Sequence, residues 1–403
     1  MIISVLILIV FFVFLVPIPV GFSSLFLMAF SEKKNIYLFY ILFCIGTSLV
    51  CLFYVPNYTD DLSRYYIVMR LMKPLSSWSE FINFSQSNSA LQYQGTNKLF
   101  NIIEYLIART GKFSLLPFVS TLICYLSVLF PIVDLKRNTK IRSTTTLTLA
   151  VCLLLLFNLN FTANTMRWAM ASAIFGLVSY LYFVKLNKLV YIWILAIPLL
   201  FHVGIILAVT LAIFVAIVRK TSIFSYAILL IGFIMFWIYA IKNGSLEVSG
   251  TFSQITSMAN TYSTDFMNRN LNGTIILYLS RAADILMLSA AVIIYFGKPK
   301  INRDSFDRLC LLQFFFGIML FNNSMIFNRY LLIISILSII SIGKNIVTVK
   351  INRVQLGMFM IAVSLLILCV TAYAGCKDMD FTVSKLNLIF MNILKAFINL
   401  PIF

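Results

Sequence analysis

The chain is poor in acidic residues and in histidine, so few side chains are available for acid–base chemistry. Its 403 residues contain 13 Asp and Glu against 31 Lys and Arg, and a single histidine, His202. The sequence also lacks a Walker-type loop, a glycine-rich dinucleotide turn, a GxSxG elbow and any His, Cys or carboxylate spacing suited to zinc. These absences argue against nucleotide hydrolysis within the chain, and we expect neither a cofactor nor a bound metal.

Charged residues are scarce, whereas apolar residues are abundant along the whole length. Hydrophobic residues make up 61% of the chain, charged residues 11%, and the mean hydropathy is +0.99. This composition predicts a single all-α, polytopic membrane domain over residues 1–403. A membrane span needs about 20 apolar residues. The candidate spans are 2–30, 36–55, 114–133, 143–160, 168–184, 189–218, 222–241, 274–296, 309–326, 329–343 and 354–374.

The net charge of +18 is dispersed over short loops between the apolar runs. This argues against nucleic-acid binding and favours cytoplasmic loops, where Lys and Arg accumulate. The run 189–218 has basic residues at both ends, and both ends therefore prefer the cytoplasm. We predict a hairpin or a broken helix that turns near Pro198–His202, which gives the chain about twelve passes.

Two longer polar segments, 56–112 and 242–273, are predicted on the outer side of the membrane. The first ends in the one-sided apolar spacing of an interfacial helix, formed by Leu99, Ile102, Ile103, Leu106 and Ile107. The tail 385–403 has polar residues at intervals of seven and predicts an amphipathic helix that lies on the membrane.

Three single arginines stand at the ends of apolar runs: Arg167, Arg281 and Arg329. A guanidinium near the hydrocarbon layer costs several kcal/mol unless it faces a wet cavity, a partner or an anion. Simpler explanations are a snorkelling side chain at the interface or, for Arg281, an ion pair with Asp284. Together the three favour a site for a large anion at membrane depth, and a lipid-linked diphosphate fits that description.

The candidates for a general base are Asp60, Asp61 and His202. Adjacent carboxylates repel, so one of the two acids can hold its proton near neutral pH. Arg64 follows closely and either pairs with an acid or binds a phosphate. A lone histidine is often only structural, but His202 falls at the predicted break in 189–218, on the same side as the arginines. The sequence leaves the choice among the three bases open.

Four motifs resemble the EpsG-like branch of the Wzy-type polysaccharide polymerases. They are Asp60-Asp61-Leu-Ser-Arg64-Tyr65-Tyr66, Arg167-Trp-Ala-Met-Ala-Ser-Ala, Phe201-His202-Val-Gly and Asn328-Arg329-Tyr330. The resemblance extends over most of the chain as an order of spans and motifs. The outer segment 242–273 is smaller than the loop that the family usually carries in its second half.

The resemblance implies a fold of the membrane glycosyltransferase type (GT-C), distantly similar to O-antigen ligases. It implies metal-independent, inverting glycosyl transfer between undecaprenyl-diphosphate-linked repeat units on the periplasmic face of the bacterial inner membrane. The product would be O-antigen, capsule or another exopolysaccharide. The implied partners are the lipid-linked glycans, membrane lipids and, as a further candidate, a chain-length regulator protein.

On this interpretation the arginines bind the diphosphate and the aromatic side chains contact the glycan. Arg167, Arg281 and Arg329 bind the diphosphate, with Arg64 as a second candidate, while His202, Asp60 or Asp61 deprotonates the incoming sugar hydroxyl. The residues expected to line the glycan path are Tyr65, Tyr66, Trp168 and Tyr330. The alternative function is a flippase for the same lipid, which would need the arginines but no base.

Overall fold

The structure is a computed structural model and consists almost entirely of helices. It describes residues 17–31, 34–58, 60–87, 98–139, 141–218, 232, 271–297, 304–319, 324–349, 351–377 and 379–384. The described chain is 85% helical, which confirms the predicted all-α class. The predicted span 222–241, most of the outer segment 242–273 and the tail helix 385–403 lie outside the described residues.

The first half of the chain contains long apolar helices separated by a group of shorter ones. The helices are α1 (Pro17–Phe30), α2 (Ile36–Ser48), α3 (Asp61–Met72), α4 (Trp78–Ser87), α5 (Lys98–Thr110), α6 (Leu115–Asn138), α7 (Ser143–Leu156), α8 (Leu159–Asn164) and α9 (Met166–Tyr180). A 3-10 turn, Leu49–Phe53, extends α2, and a π-helical stretch, Leu181–Leu186, extends α9.

The second half begins with a broken element and continues with long helices. Two 3-10 stretches, Leu189–Leu200 and Val203–Ile205, precede α10 (Ile206–Ile217). The limb Leu189–Leu200 packs against α10, in agreement with the predicted break near Pro198–His202. The remaining helices are α11 (Leu271–Gly297), α12 (Ser305–Met319), α13 (Ser324–Asn345) and α14 (Ile351–Cys376).

Six of the described helices are long and apolar enough to cross a membrane. They are Ile36–Phe53, Leu115–Asn138, Met166–Leu186, Tyr278–Gly297, Phe327–Asn345 and Asn352–Cys376. Four shorter apolar helices accompany them: Ile18–Phe30, Ser143–Leu156, Leu189–Leu200 and Val203–Ile217. The helices therefore belong to a membrane protein, and the figure of about twelve passes stays a prediction.

Helix α13 lies at the centre of the bundle. In the apolar part of α13, Phe327–Asn345, 83% of the residues are buried, against 22% for Asn352–Cys376 of α14 at the periphery. Helix α9 packs closely against α13 at Gly176, where a Cβ atom would lie 2.5 Å from Cγ2 of Ile336. Only a glycine permits this approach, and it brings the two helices together along their length.

The described termini of α6, α9, α12 and α13 hold two buried ionic clusters at one end of the bundle. Asp134 of α6 forms an ion pair with Lys185 (2.5 Å) and accepts hydrogen bonds from the Tyr180 hydroxyl and the Asn138 amide. Lys344 of α13 pairs with Asp304 (2.6 Å) and with Asp307 (3.0 Å). At this end, acidic and basic groups neutralise one another.

A short antiparallel pairing closes the other end. Strand β1 (Tyr54–Val55) precedes α3, and strand β2 (Asp380–Phe381) follows α14. Tyr54 lies opposite Phe381, and the Thr382 amide donates to the Phe53 carbonyl at 2.8 Å. This pairing joins the chain after the last described helix to the segment that leads into α3.

Candidate functional site

Arg329 and His202 both contact the indole ring of Trp168. The guanidinium carbon of Arg329, in the second turn of α13, lies 5.5 Å from the ring centre of Trp168. The imidazole of His202 meets the same side chain edge-on, with ring centres 5.4 Å apart. Trp168 is 3% exposed, so its indole is a fixed platform between α13 and the broken element. It lies in the first turn of α9, directly after Arg167.

Arg281 joins this group through the residue before Arg329. Its Nε donates a hydrogen bond of 2.6 Å to Oδ1 of Asn328. Its guanidinium carbon also lies 5.7 Å from the ring centre of Tyr278 and 5.5 Å from that of Phe327. Asp284, one turn further along α11, accepts a hydrogen bond from the Ser335 hydroxyl at 2.7 Å. Arg281 is thus oriented toward the start of α13.

Arg167 is held by the face and the hydroxyl of a tyrosine from the outer segment. Its Nε donates to the Tyr65 hydroxyl at 2.8 Å, and its guanidinium carbon lies 5.3 Å from the ring centre of Tyr65. A second ring, that of Phe100, lies 6.0 Å away. Burial raises the pKa of Tyr65 to about 12, so its hydroxyl is neutral and leaves the arginine charge uncancelled.

A chain of neighbouring residues therefore connects the three arginines of α9, α11 and α13, which are distant in sequence. Arg167 and Trp168 are consecutive, Trp168 contacts Arg329, and Asn328 contacts Arg281. The contacts described above place the guanidiniums against aromatic faces, a hydroxyl and an amide. Such contacts fix the geometry of a guanidinium, and a fixed guanidinium suits an anion-binding group.

The geometry of His202 fixes which of its ring nitrogens carries a proton. Its Nδ1 accepts a hydrogen bond of 2.8 Å from the Gly204 backbone N–H. The approach is so close that a Cβ atom on Gly204 would lie 2.8 Å from Cε1 of His202. Burial, together with the positive charges of Arg329 and Arg167, lowers the pKa of His202. The neutral ring with an accepting Nδ1 carries its proton on Nε2 and presents a donor there.

Asp60 takes part in the turn that precedes α3. Its Oδ2 accepts hydrogen bonds from the Tyr54 hydroxyl (2.6 Å) and from the Asn57 backbone N–H (2.8 Å). The Tyr54 hydroxyl in turn accepts from the Asn164 amide at 2.8 Å, three residues before Arg167. Asp60 thereby connects α3 to the end of α8, just before α9.

Asp61 and Arg64 lie at the surface of α3. Arg64 pairs with Asp61 at 3.5 Å, and their side chains are 76% and 50% exposed. An exposed pair of this kind contributes little to stability. Asp61 also acts electrostatically on Arg167 and on Tyr65, so the pair lies close to the Arg167 environment.

The tyrosines expected along a glycan path are buried. Tyr65 is 3% exposed and holds Arg167, as described above. Tyr66 is 7% exposed and packs on Phe113, with ring centres 5.8 Å apart. Tyr330 is 1% exposed and packs on Phe316 at 5.6 Å. In this conformation the Tyr66 and Tyr330 rings fill the protein interior.

Glu104 of α5 also belongs to this neighbourhood, although the sequence analysis did not single it out. It is fully buried (0% exposed), one helical turn after Phe100, and Arg167 is the charged group that acts on it. Leu106, which belongs to the predicted apolar face of the helix, is 56% exposed. Ile107 of the same predicted face is only 7% exposed, so this face lies partly against the protein and partly toward the outside. The sequence signal that points to Glu104 is a single acidic residue in a largely apolar helix.

Comparison with protein families assigns the chain to one of them. A family model, described as the EpsG family, matches residues 36–385 and so includes every helix from α2 to α14. No curated protein and no solved structure matches the chain. The four motifs that resemble EpsG-like polymerases all fall within the matched range. The chain therefore belongs to the EpsG family of Wzy-type membrane polysaccharide polymerases.

Proposed function

We propose that the chain joins undecaprenyl-diphosphate-linked oligosaccharide repeat units by inverting glycosyl transfer. Membership of the EpsG family supports polysaccharide polymerisation at a membrane. The proposal adds the polyprenyl diphosphate carrier, the periplasmic face of the bacterial inner membrane and the chemical step. The products belong to the class of O-antigen, capsule or exopolysaccharide.

The observation that supports the proposal is the chain of contacts that connects three arginines of three separate helices. Arg167, Arg281 and Arg329 are linked through Trp168 and Asn328. A diphosphate has several oxygens that planar guanidiniums bind in pairs, and it leaves with a developing negative charge. Fixed cations near that charge stabilise the transition state more than the substrate.

The role that we assign to each residue follows from its position in the structure. Arg167, Arg281 and Arg329 hold the diphosphate of the growing chain, and His202 supports it through the Nε2–H donor. Trp168 keeps His202 and Arg329 at fixed distance from each other. Arg64, exposed beside Asp61, is a weaker candidate for the same anion. Tyr65 acts through Arg167 in this conformation, whereas Tyr66 and Tyr330 would contact glycan only after side-chain movement.

Reconstitution tests the proposal directly. Lipid-linked single repeat units are extracted from cells in which the gene for this chain has been deleted, and they are incubated with the purified protein in liposomes. Polymerisation gives a ladder of longer lipid-linked glycans. Unchanged glycan length together with transbilayer movement of the lipid would instead identify the flippase.

Arginine variants then test the site. Arg167→Ala, Arg281→Ala and Arg329→Ala are each expected to lower the polymerisation rate by about 10² to 10³-fold, the loss found when one donor to a developing anion is removed. Arg137→Ala is the matched control, since Arg137 lies 5.0 Å from the ring centre of Tyr37 at the end of α6 that holds the ionic cluster of Asp134. Normal ladders from all three site variants would refute the assignment.

A further inference from the structure

In the structure, each of the three base candidates from the sequence takes part in another hydrogen bond or ion pair. Oδ2 of Asp60 accepts from Tyr54 and from the Asn57 backbone. Asp61 pairs with Arg64 in an exposed position. Nδ1 of His202 accepts from Gly204, so the remaining nitrogen carries a proton and is a donor. The proposed reaction still needs a group that takes a proton from the acceptor hydroxyl.

Glu104 has the properties that these candidates lack. Its carboxyl group is fully buried, and neither oxygen has a hydrogen-bond partner among the described residues. A buried carboxyl group without a partner costs free energy, and its retention calls for a ligand that supplies the missing bond. Arg167 acts on Glu104 electrostatically, and the guanidinium of Arg167 lies 6.0 Å from the Phe100 ring, one turn before Glu104.

The position of Glu104 relative to Arg167 suits contact with the acceptor hydroxyl rather than with the leaving diphosphate. Arg167 is partly exposed, whereas Glu104 lies inside the protein, one turn after Phe100, whose ring contacts that of Tyr65. A sugar hydroxyl that reaches Glu104 leaves bulk water and lies beside the cation that holds the diphosphate. Two carboxyl oxygens can then accept from it without competition from water.

We propose that Glu104 is the general base that deprotonates the acceptor hydroxyl. This inference rests on the proposed function. The hydroxyl oxygen forms a bond to the anomeric carbon of the donor sugar while the bond from that carbon to the diphosphate oxygen breaks. The diphosphate leaves with the electron pair of the broken bond, Arg167 and its neighbours hold it, and the hydroxyl proton passes to the Glu104 carboxylate. Attack opposite the leaving group inverts the anomeric centre.

The protonation of Glu104 suits this role. Burial raises the pKa of Glu104 from 4.5 to about 8, and the positive charge of Arg167 limits the increase. Tyr65 and Asp61 of α3, together with His202, are the other titratable groups that interact with Arg167. Helix α6 has its charged residues at the far end, and the limb Leu189–Leu200 has none. The group therefore exchanges its proton near neutral pH, where a general base is most effective.

The decisive experiment compares Glu104→Gln with the wild-type protein in liposomes supplied with the extracted lipid-linked repeat units. Loss of the base is expected to lower kcat by about 10² to 10⁴-fold with KM nearly unchanged. Wild-type kcat/KM should rise with pH toward a plateau above about 8, and this rise should be absent in Glu104→Gln. The matched control is Glu80→Gln on α4, whose carboxylate is exposed and accepts from the Ser76 backbone at 2.8 Å.

Two further measurements separate a base from a merely structural residue. Glu104→Asp should fold and retain both partial activity and the rise with pH. Glu104→Ala should regain part of its rate when formate is added, because a small carboxylate can occupy the vacated space. A Glu104→Gln rate within tenfold of wild type, with the same pH profile, overturns the inference and leaves the proposed function standing. If the wild-type protein forms no ladder, the proposed function itself fails.

Discussion

Arg329 stacks over the indole of Trp168, with the guanidinium carbon 5.5 Å from the ring centre. The first residue belongs to α13 and the second to α9, and Arg167 directly precedes Trp168. The aromatic face attracts the cation and fixes the plane in which its N–H groups lie. The relative placement of two arginines therefore depends on how one tryptophan is packed.

The hydroxyl of Tyr65 should matter through Arg167. Tyr65→Phe keeps the ring and removes the acceptor of the Nε hydrogen bond (2.8 Å). A hydrogen bond to a charged group contributes about 1.5–3 kcal/mol, so we expect roughly a tenfold or greater loss of polymerisation rate. The measurement is the initial rate of ladder formation. Tyr58→Phe, at a side chain that is 96% exposed, should leave that rate unchanged; equal rates for the Tyr65→Phe and Tyr58→Phe variants would contradict the positioning role.

His202 should behave as a hydrogen-bond donor. The amide N–H of a glutamine can reach the place of Nε2, so His202→Gln should retain activity within about tenfold of wild type, whereas His202→Ala should lose about 10²-fold. Rates measured from pH 6 to 9 should show the same rise for the wild-type and His202→Gln proteins. If the two substitutions are equally damaging and flatten that rise, His202 is the base and the assignment to Glu104 is wrong.

Gly176 should be sensitive to any added side-chain atom. In Gly176→Ala the new Cβ would lie 2.5 Å from Cγ2 of Ile336, and overpacking of this kind costs about 1–3 kcal/mol. Thermal unfolding in detergent should show the loss, and the double variant with Ile336→Ala should recover part of it, because contacting residues are energetically coupled. Gly375→Ala is the control, since its nearest contact would be an ordinary 3.9 Å. Equal unfolding temperatures for the two glycine variants would show that α9 and α13 can separate freely.

Asp134 should contribute to stability rather than to catalysis. Asp134→Ala leaves Lys185 and the Tyr180 hydroxyl without their shared partner, and removing one member of a buried pair costs about 3–5 kcal/mol. Because the Lys185 side chain is 37% exposed, we expect a loss at the lower end of that range. Asp134→Asn keeps an acceptor and should lose less. Thermal unfolding measures stability, and folded Asp134→Asn protein should polymerise at a normal rate; a specific loss of rate would place Asp134 in the reaction.

The arginines could be identified from the sequence because an isolated guanidinium in an apolar chain is costly wherever it lies. The contacts that connect them could not, since Arg167, Arg281 and Arg329 are connected only through the packing of α9 and α11 against α13. The break at His202 was visible from the basic flanks and Pro198. The sequence does not reveal which imidazole nitrogen of His202 carries the proton. The hydrogen bond from the Gly204 backbone N–H to Nδ1 shows that the proton is on Nε2.

Glu104 shows why the rest of the candidate site could not be predicted from the sequence. The spacing of Leu99, Ile102, Leu106 and their neighbours predicts an interfacial helix, whose apolar side would face the membrane. In the structure Leu106 is 56% exposed, but Ile107 of the same face and Glu104 are both buried, which the spacing does not indicate. The residue type of Tyr65 likewise predicts stacking on a sugar, and only the structure shows that its hydroxyl accepts a hydrogen bond from Arg167.

The pairing of Tyr54–Val55 with Asp380–Phe381 determines when the Arg167 environment can be completed during synthesis. Tyr54 packs edge-on against Phe381 at 6.2 Å and also bonds Asp60 and Asn164, so the late residues support the turn leading into α3. A nascent chain inserted as far as α13 already contains every arginine of the cluster but lacks this support. The support for this turn is therefore complete only after the ribosome has translated past Thr382, whose amide donates to the Phe53 carbonyl.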